Sequence, residues 1–430
     1  MYYVWQQRYF SCIMTTEGQA IDVLHPGLRN NGSGPDFFNA KIKQNGIVWA
    51  GSVEMHVRAS DWHRHHHDDD PAYDGVILHV VLQHDADIRR HDGSLLPTAL
   101  MQIPDALVER YRMICGDAPS SAEGNIPRLA GSNIPLLPGE IPSYTALSCA
   151  PLLSEVPDVI LHDWLTSLCI ERMLQKMERV RDLVEAQLCA WPEAFYVILT
   201  RSLGTGVNGD AMERLARSLP YNCLLHHRDH LEQLQALLLG QAGFLQQEAD
   251  HRPAADREAW HLLQREYTFL RQKFSLTPLP VSMWHLGRIR PPAQPEARLR
   301  ALALLLHRHA DLFGVLLEAK DLRQLLRLLR VEGLGQQTLR SLVINAVVPT
   351  LLSYAQWQND DERLDHILRI LEELPAEDNH YLALWRHAGI IPRHALDSQA
   401  LLQLIQHYCQ PHQCLQCRIG CRLLSAGSRH

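Results

Sequence analysis

The hydrophobic rhythm of the chain changes once. Up to about residue 112 the apolar positions come in short runs, "AIDVLHPG", "FNAKIKQ", "GIVWAGSVEMHV", "GVILHVVLQH" and "TALMQI", broken by Gly, Pro, Asn and Asp. Short apolar runs punctuated by turn formers predict β-strands. The Asn-Gly of "QNG" tolerates the left-handed backbone of a tight turn, so "FNAKIKQ" and "GIVWAGSVEMHV" are expected to pair as a hairpin. "VILHVVL" is apolar on both alternating faces, the pattern of a central strand covered on both sides.

Residues 116–143, "GDAPSSAEGNIPRLAGSNIPLLPGEIPS", carry no sustained period and read as a linker or long surface loop. From about residue 154 apolar residues recur three and four apart, as in "HDWLTSLCIERMLQKMERVRDLVEAQL" and "DHLEQLQALLLGQAGFLQQ", which lines one face of a helix. Prolines near 192, 220, 253, 278–280, 291–295, 349 and 375 punctuate the series. About ten helices are expected, without a fixed-period repeat. The expected organisation is an α/β domain with a mixed sheet over 1–115, a linker over 116–153, a mostly α-helical domain over 154–400, and a C-terminal helix with a cysteine knot over 401–430.

Composition adds little to this picture. A length of 430 residues suits two or three domains, and 46% hydrophobic with 21% charged residues is ordinary for a folded protein. A net charge of −7 gives no global attraction to nucleic acid or anionic membrane, and a local basic groove stays open. The start, "MYYVWQQRYFSCIMTTEGQ", has no secretory pattern, and no long uncharged apolar run follows, so a cytoplasmic location without a membrane is expected. In that compartment ten cysteines are thiols or metal ligands rather than a disulfide framework.

The hairpin carries the first candidate chemistry. Asp36 opens one strand and Glu54 lies on the other, so antiparallel pairing brings the two carboxylates together. Converging carboxylates hold Mg²⁺ or Mn²⁺, which can activate water for phosphodiester attack. His56 shares the strand face of Glu54, because side chains alternate with period two. The layout, Pro35-Asp36 and then Glu54-Met55-His56, resembles the PD-(D/E)XK nuclease superfamily, in which an aspartate and a (D/E)-x-K tripeptide lie on adjacent strands. The resemblance implies a restriction-endonuclease-like core with Asp36, Glu54 and His56 as catalytic residues. His56 stands where that superfamily has lysine, and it titrates near neutrality where lysine stays charged.

"SDWHRHHHDDDPAYDGVILHVV", residues 60–81, follows directly. His65, His66 and His67 with Asp68, Asp69 and Asp70 offer many ligand atoms, and imidazole with carboxylate suits Zn, Mn or Fe(II). A histidine-based metal hydrolase is therefore a second reading, beside a solvated loop. His79 reads as a core histidine unless it faces Glu54.

The chain as a whole resembles a bacterial family known as domain of unknown function 2851. The resemblance rests on "NNGSGPDFFNAKI", "WAGSVEMHV", "SDWHRHHHDDDPAYDGVILHVVLQHD", "LQALLLGQAGFL", "WHLGRIRPPAQPEARL", "INAVVPTLLSYA" and "DSQALLQLIQHYCQPHQCLQCRIG". It implies no activity, and it places Asp36, Glu54, His56, His65, His67, Asp70 and Tyr73 on the family's motif positions, with His66 incidental.

Near the end, "HYCQPHQCLQCRIGCRLL" holds Cys409, Cys414, Cys417 and Cys421 beside His407 and His412. The Cys-x-x-Cys spacing lets two thiolates reach one ion, so zinc or an iron-sulfur cluster is expected, with Cys149 a candidate fourth ligand from afar. Arginines concentrate in "WHLGRIRPPAQPEARLRALALLLHRH", where Arg288 and Arg290 beside Trp284 are candidates for DNA or RNA phosphates. The leading expectation is a metal-dependent phosphodiesterase. A non-catalytic nucleic-acid-binding scaffold is the rival from another class.

Overall fold

A computed structural model describes residues 1–10, 13–30, 32–115, 147–186, 190–204, 206–248, 253–287 and 289–426. Most of the expected linker, and Arg288, lie outside the described residues. The chain divides into two compact units. The first takes in the described residues of Met1–Ser121, Ser148–Ile160 and His412–His430; the second takes in those of Ala122–Leu147 and Leu161–Pro411.

The first unit is built on seven strands: β1 (Ile13–Thr15), β2 (Ala20–His25), β3 (Leu28–Arg29), β4 (Phe37–Gln44), β5 (Ile47–Arg58), β6 (Val76–Gln83) and β7 (Thr98–Leu100). The hairpin forms as the sequence predicts. Asn45 and Gly46 take φ of 52° and 81°, and β4 pairs antiparallel with β5 from Gln44↔Ile47 to Phe37↔Val53. β6 runs parallel to both β5 and β7, which is the central position expected of "VILHVVL". The sheet closes on itself: β2 pairs with both β1 and β4, completing a mixed barrel of β1, β7, β6, β5, β4 and β2, with β3 along the start of β4. A closed sheet leaves no unpaired edge among the strands of the ring.

Register assigns the faces. Phe37, Val53, Met55, Leu78 and Val80 are apolar and buried, and the pairings Phe37↔Val53, Val53↔Leu78 and Met55↔Val80 put them on one face. Each such side chain contributes about 1.5–3 kcal/mol by leaving water. Glu54, His56, His79 and Val81 take the opposite face, through Glu54↔His79 and His56↔Val81. Parallel neighbours need a crossover connection. Here residues 59–75 supply it, with a short helix α1 at Tyr2–Gln7 earlier in the chain and α2 (Asp61–Arg64) and a 3-10 turn (Pro71–Tyr73) within the crossover. Ala59, Trp62, Tyr73, Val76, Val81, Ile88 and Leu96 form its buried apolar cluster. The unit also contains α3 (Asp105–Cys115), a 3-10 turn at Ala150–Glu155 and the C-terminal helix Arg418–Ala426.

The second unit is mostly helical, as the leucine spacing predicts. Among the described residues it has fourteen α-helical segments from Asp158–Ala186 to Ala395–Leu404 rather than ten. Caps account for the difference: Asp311, Asp321, Asp360 and Asn379 each accept the N–H of the residue three further on and start separate helices. Two helices approach closely at Gly240, where a Cβ would lie 2.1 Å from Cγ of Tyr267. Gln336–Gln358 is long and apolar enough to cross a membrane by length and composition, yet 72% of its apolar window is buried, which makes it a core helix.

Candidate metal centre

The crossover is fixed at its entry by polar contacts. Asp85 accepts from the Ser60 backbone N–H (2.8 Å) and hydroxyl (2.7 Å), and the Asp61 carboxylate accepts from the Arg58 N–H (3.2 Å). From there the loop turns back at His66, in the left-handed region at φ 60°. Trp62 sets its indole against the rings of His67 (5.4 Å), His79 (5.3 Å) and Tyr73 (5.8 Å). Tyr73 stacks on His67 at 3.8 Å and 23°. These contacts hold the loop histidines over the strand face that carries Glu54 and His56.

Four histidines and one glutamate meet there. His56 Nδ1 lies 2.9 Å from His79 Nε2, and His56 Nε2 lies 3.1 Å from His65 Nδ1. Glu54 Oε1 is 3.4 Å from His67 Nε2 and 3.6 Å from His56 Nε2. One ring nitrogen from each of His56, His65 and His67 lies within 4.8 Å of the others, a spacing that can hold one metal ion. His56 is buried, His67 half-buried and His65 exposed, so the cluster opens on one side.

Asp36 reaches the centre by a distortion of β4. The register shifts between Phe37 and Ala40, with Asn39 at φ 55°, a bulge of the kind that re-aims strand residues. Asp36 and Glu54 do come together, and each is tied to the other's strand. The Asp36 N–H donates to Glu54 Oε2 (2.9 Å) and the Met55 N–H to Asp36 Oδ2 (3.0 Å). The Tyr2 hydroxyl is near enough to the Asp36 carboxylate to favour its ionised form, against the burial that raises its pKa.

Burial sets the protonation states. It raises Glu54 to about 8, helped by the Asp36 charge and opposed by the Asp36 N–H. It lowers His56 to about 4, with His67 and His65 adding to the effect. It lowers His79 to about 3, with His56 next in weight, and it lowers His67 as well. Neutral imidazoles present lone pairs with no proton to displace, which is the form a metal requires.

A family model described as "Protein of unknown function (DUF2851)" matches residues 1–126 and 139–380. The chain belongs to that family. No curated protein and no solved structure matches it.

In this DUF2851 protein the expected site residues separate into groups. Asp36, Glu54, His56, His65, His67, Tyr73 and His79 gather in one place. Asp70 is exposed and caps the Pro71–Tyr73 turn, accepting the Ala72 N–H at 2.9 Å. Cys414, Cys417 and Cys421 lie in the first unit, and Cys409 and Arg290 in the second, where Arg290 is exposed. Two contributors escaped the sequence reading. Trp62 lies inside the histidine-rich segment without a signal of its own, and Tyr2 sits far from every motif.

Proposed function

We propose that the barrel unit is a metal-dependent hydrolase of phosphodiester bonds in DNA or RNA, with its ion held by His56, His65 and His67 and with Glu54 alongside. The observation that carries the reading is the convergence of three ring nitrogens within 4.8 Å of one another beside the Glu54 carboxylate. The donor set suits Mn, Zn or Fe(II). Mg²⁺ takes oxygen ligands and is the poorer match. When bound, a divalent ion supplies Lewis-acid polarisation and a nucleophile at neutral pH.

The chain's own residues do the rest. His79 orients His56: a ligand lone pair at Nε2 requires the His56 proton at Nδ1, where it donates to His79 Nε2 at 2.9 Å. Glu54, whose Oε1 lies 3.4 Å from His67 Nε2 and 3.6 Å from His56 Nε2, stands beside the ion where a general acid or base would act. Asp36 holds Glu54 in place through its N–H, and the ring of Tyr73 holds His67. Support for a phosphodiester substrate is the PD-(D/E)XK-like placement of Asp36 and Glu54-Met55-His56 on paired strands. The exposed Arg290 of the second unit is a proposed phosphate contact.

The test is cleavage of single- and double-stranded DNA and RNA with Mn²⁺, Zn²⁺ or Mg²⁺, against EDTA and against Glu54→Ala and Glu54→Gln. Cleavage that needs metal and disappears in both variants is expected. No cleavage by protein that retains its histidine-bound ion would overturn the hydrolase reading in favour of a nucleic-acid-binding scaffold.

A further inference from the structure

The second unit holds a polar cleft of about 750 Å³, a volume that admits a small-molecule ligand. Its walls include Arg172, Lys176, Arg179, Arg217, His407 and Glu213. Arg172, Lys176 and Arg179 follow one another four and three residues apart on the helix Asp158–Ala186, so they share one of its faces. Glu213 answers three guanidinium groups, those of Arg179, Arg201 and Arg217, and among the described residues only Arg201 has a second carboxylate, Asp210. The other acidic residues of the wall, Glu178 and Asp182, are exposed.

Arg172 and Lys176 are held by neutral oxygens. Arg172 donates through Nε to Gln399 Oε1 (2.9 Å) and through Nη1 to Gln403 Oε1 (3.2 Å) and Gln406 Oε1 (2.9 Å). Lys176 Nζ donates to the same Gln399 Oε1 (2.6 Å) and to Asn345 Oδ1 (2.9 Å), so two cations share one amide oxygen. The carboxylates stand one amide further back: buried Gln399 donates to Glu377, and buried Gln403 to Glu171 at 3.0 Å. Those bonds turn both amide oxygens toward the cations, which are thereby aimed without a carboxylate in contact. Burial and the Arg172 charge hold Lys176 below its ordinary value, against the pull of Glu377. Among the described residues Arg172 Nη2 has no protein partner. The backbone is irregular at the same place. The Val348 N–H bonds the Val343 carbonyl and the Gln410 N–H the Ile405 carbonyl, five residues back, so Asn345 lies in one π-helical turn and Gln406 and His407 in another. Such widened turns re-aim side chains and recur at functional sites.

We propose that this cleft binds a phosphate monoester, whose phosphoryl oxygens are taken by Arg172 and Lys176. A phosphate monoester carries close to two negative charges at neutral pH and balances both cations, whereas a carboxylate balances one. The guanidinium fork matches two phosphoryl oxygens, and the ammonium adds a point charge beside it. Nη2 is available for the first contact, and Gln406 is exposed and free to give up its place at Nη1. The monoester is borne either by a free small molecule such as a nucleotide or by the 5′ end of a nucleic-acid strand. The cleft lies in the second unit and the histidine centre in the first, and neither depends on the other.

The experiment is titration calorimetry on the full chain with adenosine 5′-monophosphate, a 5′-phosphorylated oligonucleotide, and adenosine and acetate as controls. It is run on the wild type, Arg172→Gln, Lys176→Gln and His67→Ala. At least one phosphorylated probe is expected to bind with one equivalent, about 10–100-fold more weakly in Arg172→Gln and in Lys176→Gln and unchanged in His67→Ala, while adenosine and acetate do not bind. The probe bound more tightly identifies which of the two sources carries the phosphate. Because a glutamine variant can lose its fold, lysine acetylation of the wild type is also mapped by mass spectrometry with and without the bound probe, and Lys176 is expected to be protected. No binding of either phosphorylated probe, or an affinity unchanged in both glutamine variants, would overturn the site. Adenosine bound as tightly as its monophosphate would overturn the phosphate. Binding lost in His67→Ala and kept in Arg172→Gln would move the phosphate to the histidine centre and overturn the cleft.

Discussion

Replacing Glu54 by glutamine isolates the cost of the carboxylate that the barrel buries. In the metal-free protein burial and the Asp36 charge raise Glu54 from 4.5 to about 8. Below about pH 4.5 the group is protonated folded or unfolded, and its favourable contribution is complete. Between those values the unfolded state releases its proton while the folded state keeps it, so wild-type stability falls as pH rises, and the loss is complete above about pH 8. At 1.36 kcal/mol per unit the shift is worth about 5 kcal/mol at most. Part is returned, because an ionised Glu54 draws protons onto His67 and His56, whose Nε2 atoms lie 3.4 and 3.6 Å away. Glutamine keeps an oxygen for the Asp36 N–H and carries no charge. In excess EDTA at pH 8, Glu54→Gln is therefore expected to be more stable than wild type by about 2–4 kcal/mol, a rise of ~5–15 °C in the midpoint of the barrel unit. The difference should vanish near pH 4.5. The assay is thermal and urea unfolding across pH 4–9, followed by a probe in the first unit. A variant no more stable than wild type at pH 8 would refute the burial argument.

Further consequences follow from the same contacts. Asp36→Asn removes the neighbouring charge that is the second cause of the raised Glu54 value, so the titration of Glu54, followed by carbon NMR of the side-chain carboxyl, should move down from about 8; an unmoved midpoint would contradict the assignment. His79→Leu deletes the partner of His56 Nδ1 without touching a ligand, and titration calorimetry should show metal affinity about 10–100-fold weaker. Unchanged affinity would remove His79 from the centre. Gly240→Ala drives a methyl into the Tyr267 ring and should destabilise the second unit by about 1–3 kcal/mol in urea, while leaving metal binding at the histidines intact.

Local signals were legible and convergent ones were not. Asn45-Gly46 announced the hairpin, the period of two put Glu54 and His56 on one face, and the two-sided apolarity of "VILHVVL" placed β6 between its neighbours. Barrel closure was invisible, because the pairing of β2 with β4 joins residues with no pattern in common. The loop histidines looked alike in sequence. What separates His67 from His66 is the backbone: φ 60° at His66 reverses the chain and leaves that side chain exposed, whereas His67 is clamped by Tyr73. His79 read as core, and it is fully buried, yet its role comes from the parallel register that sets it beside Glu54. Register across a crossover is a tertiary property that local sequence does not encode.

The most direct test of the central claim is the number of metal equivalents bound by the wild type, His65→Ala and His67→Ala, measured by equilibrium dialysis with Mn²⁺ or Zn²⁺ and elemental analysis. The account predicts that each alanine variant loses one equivalent relative to wild type, whatever the cysteines hold. Equal metal content in all three proteins would contradict a centre built from His56, His65 and His67.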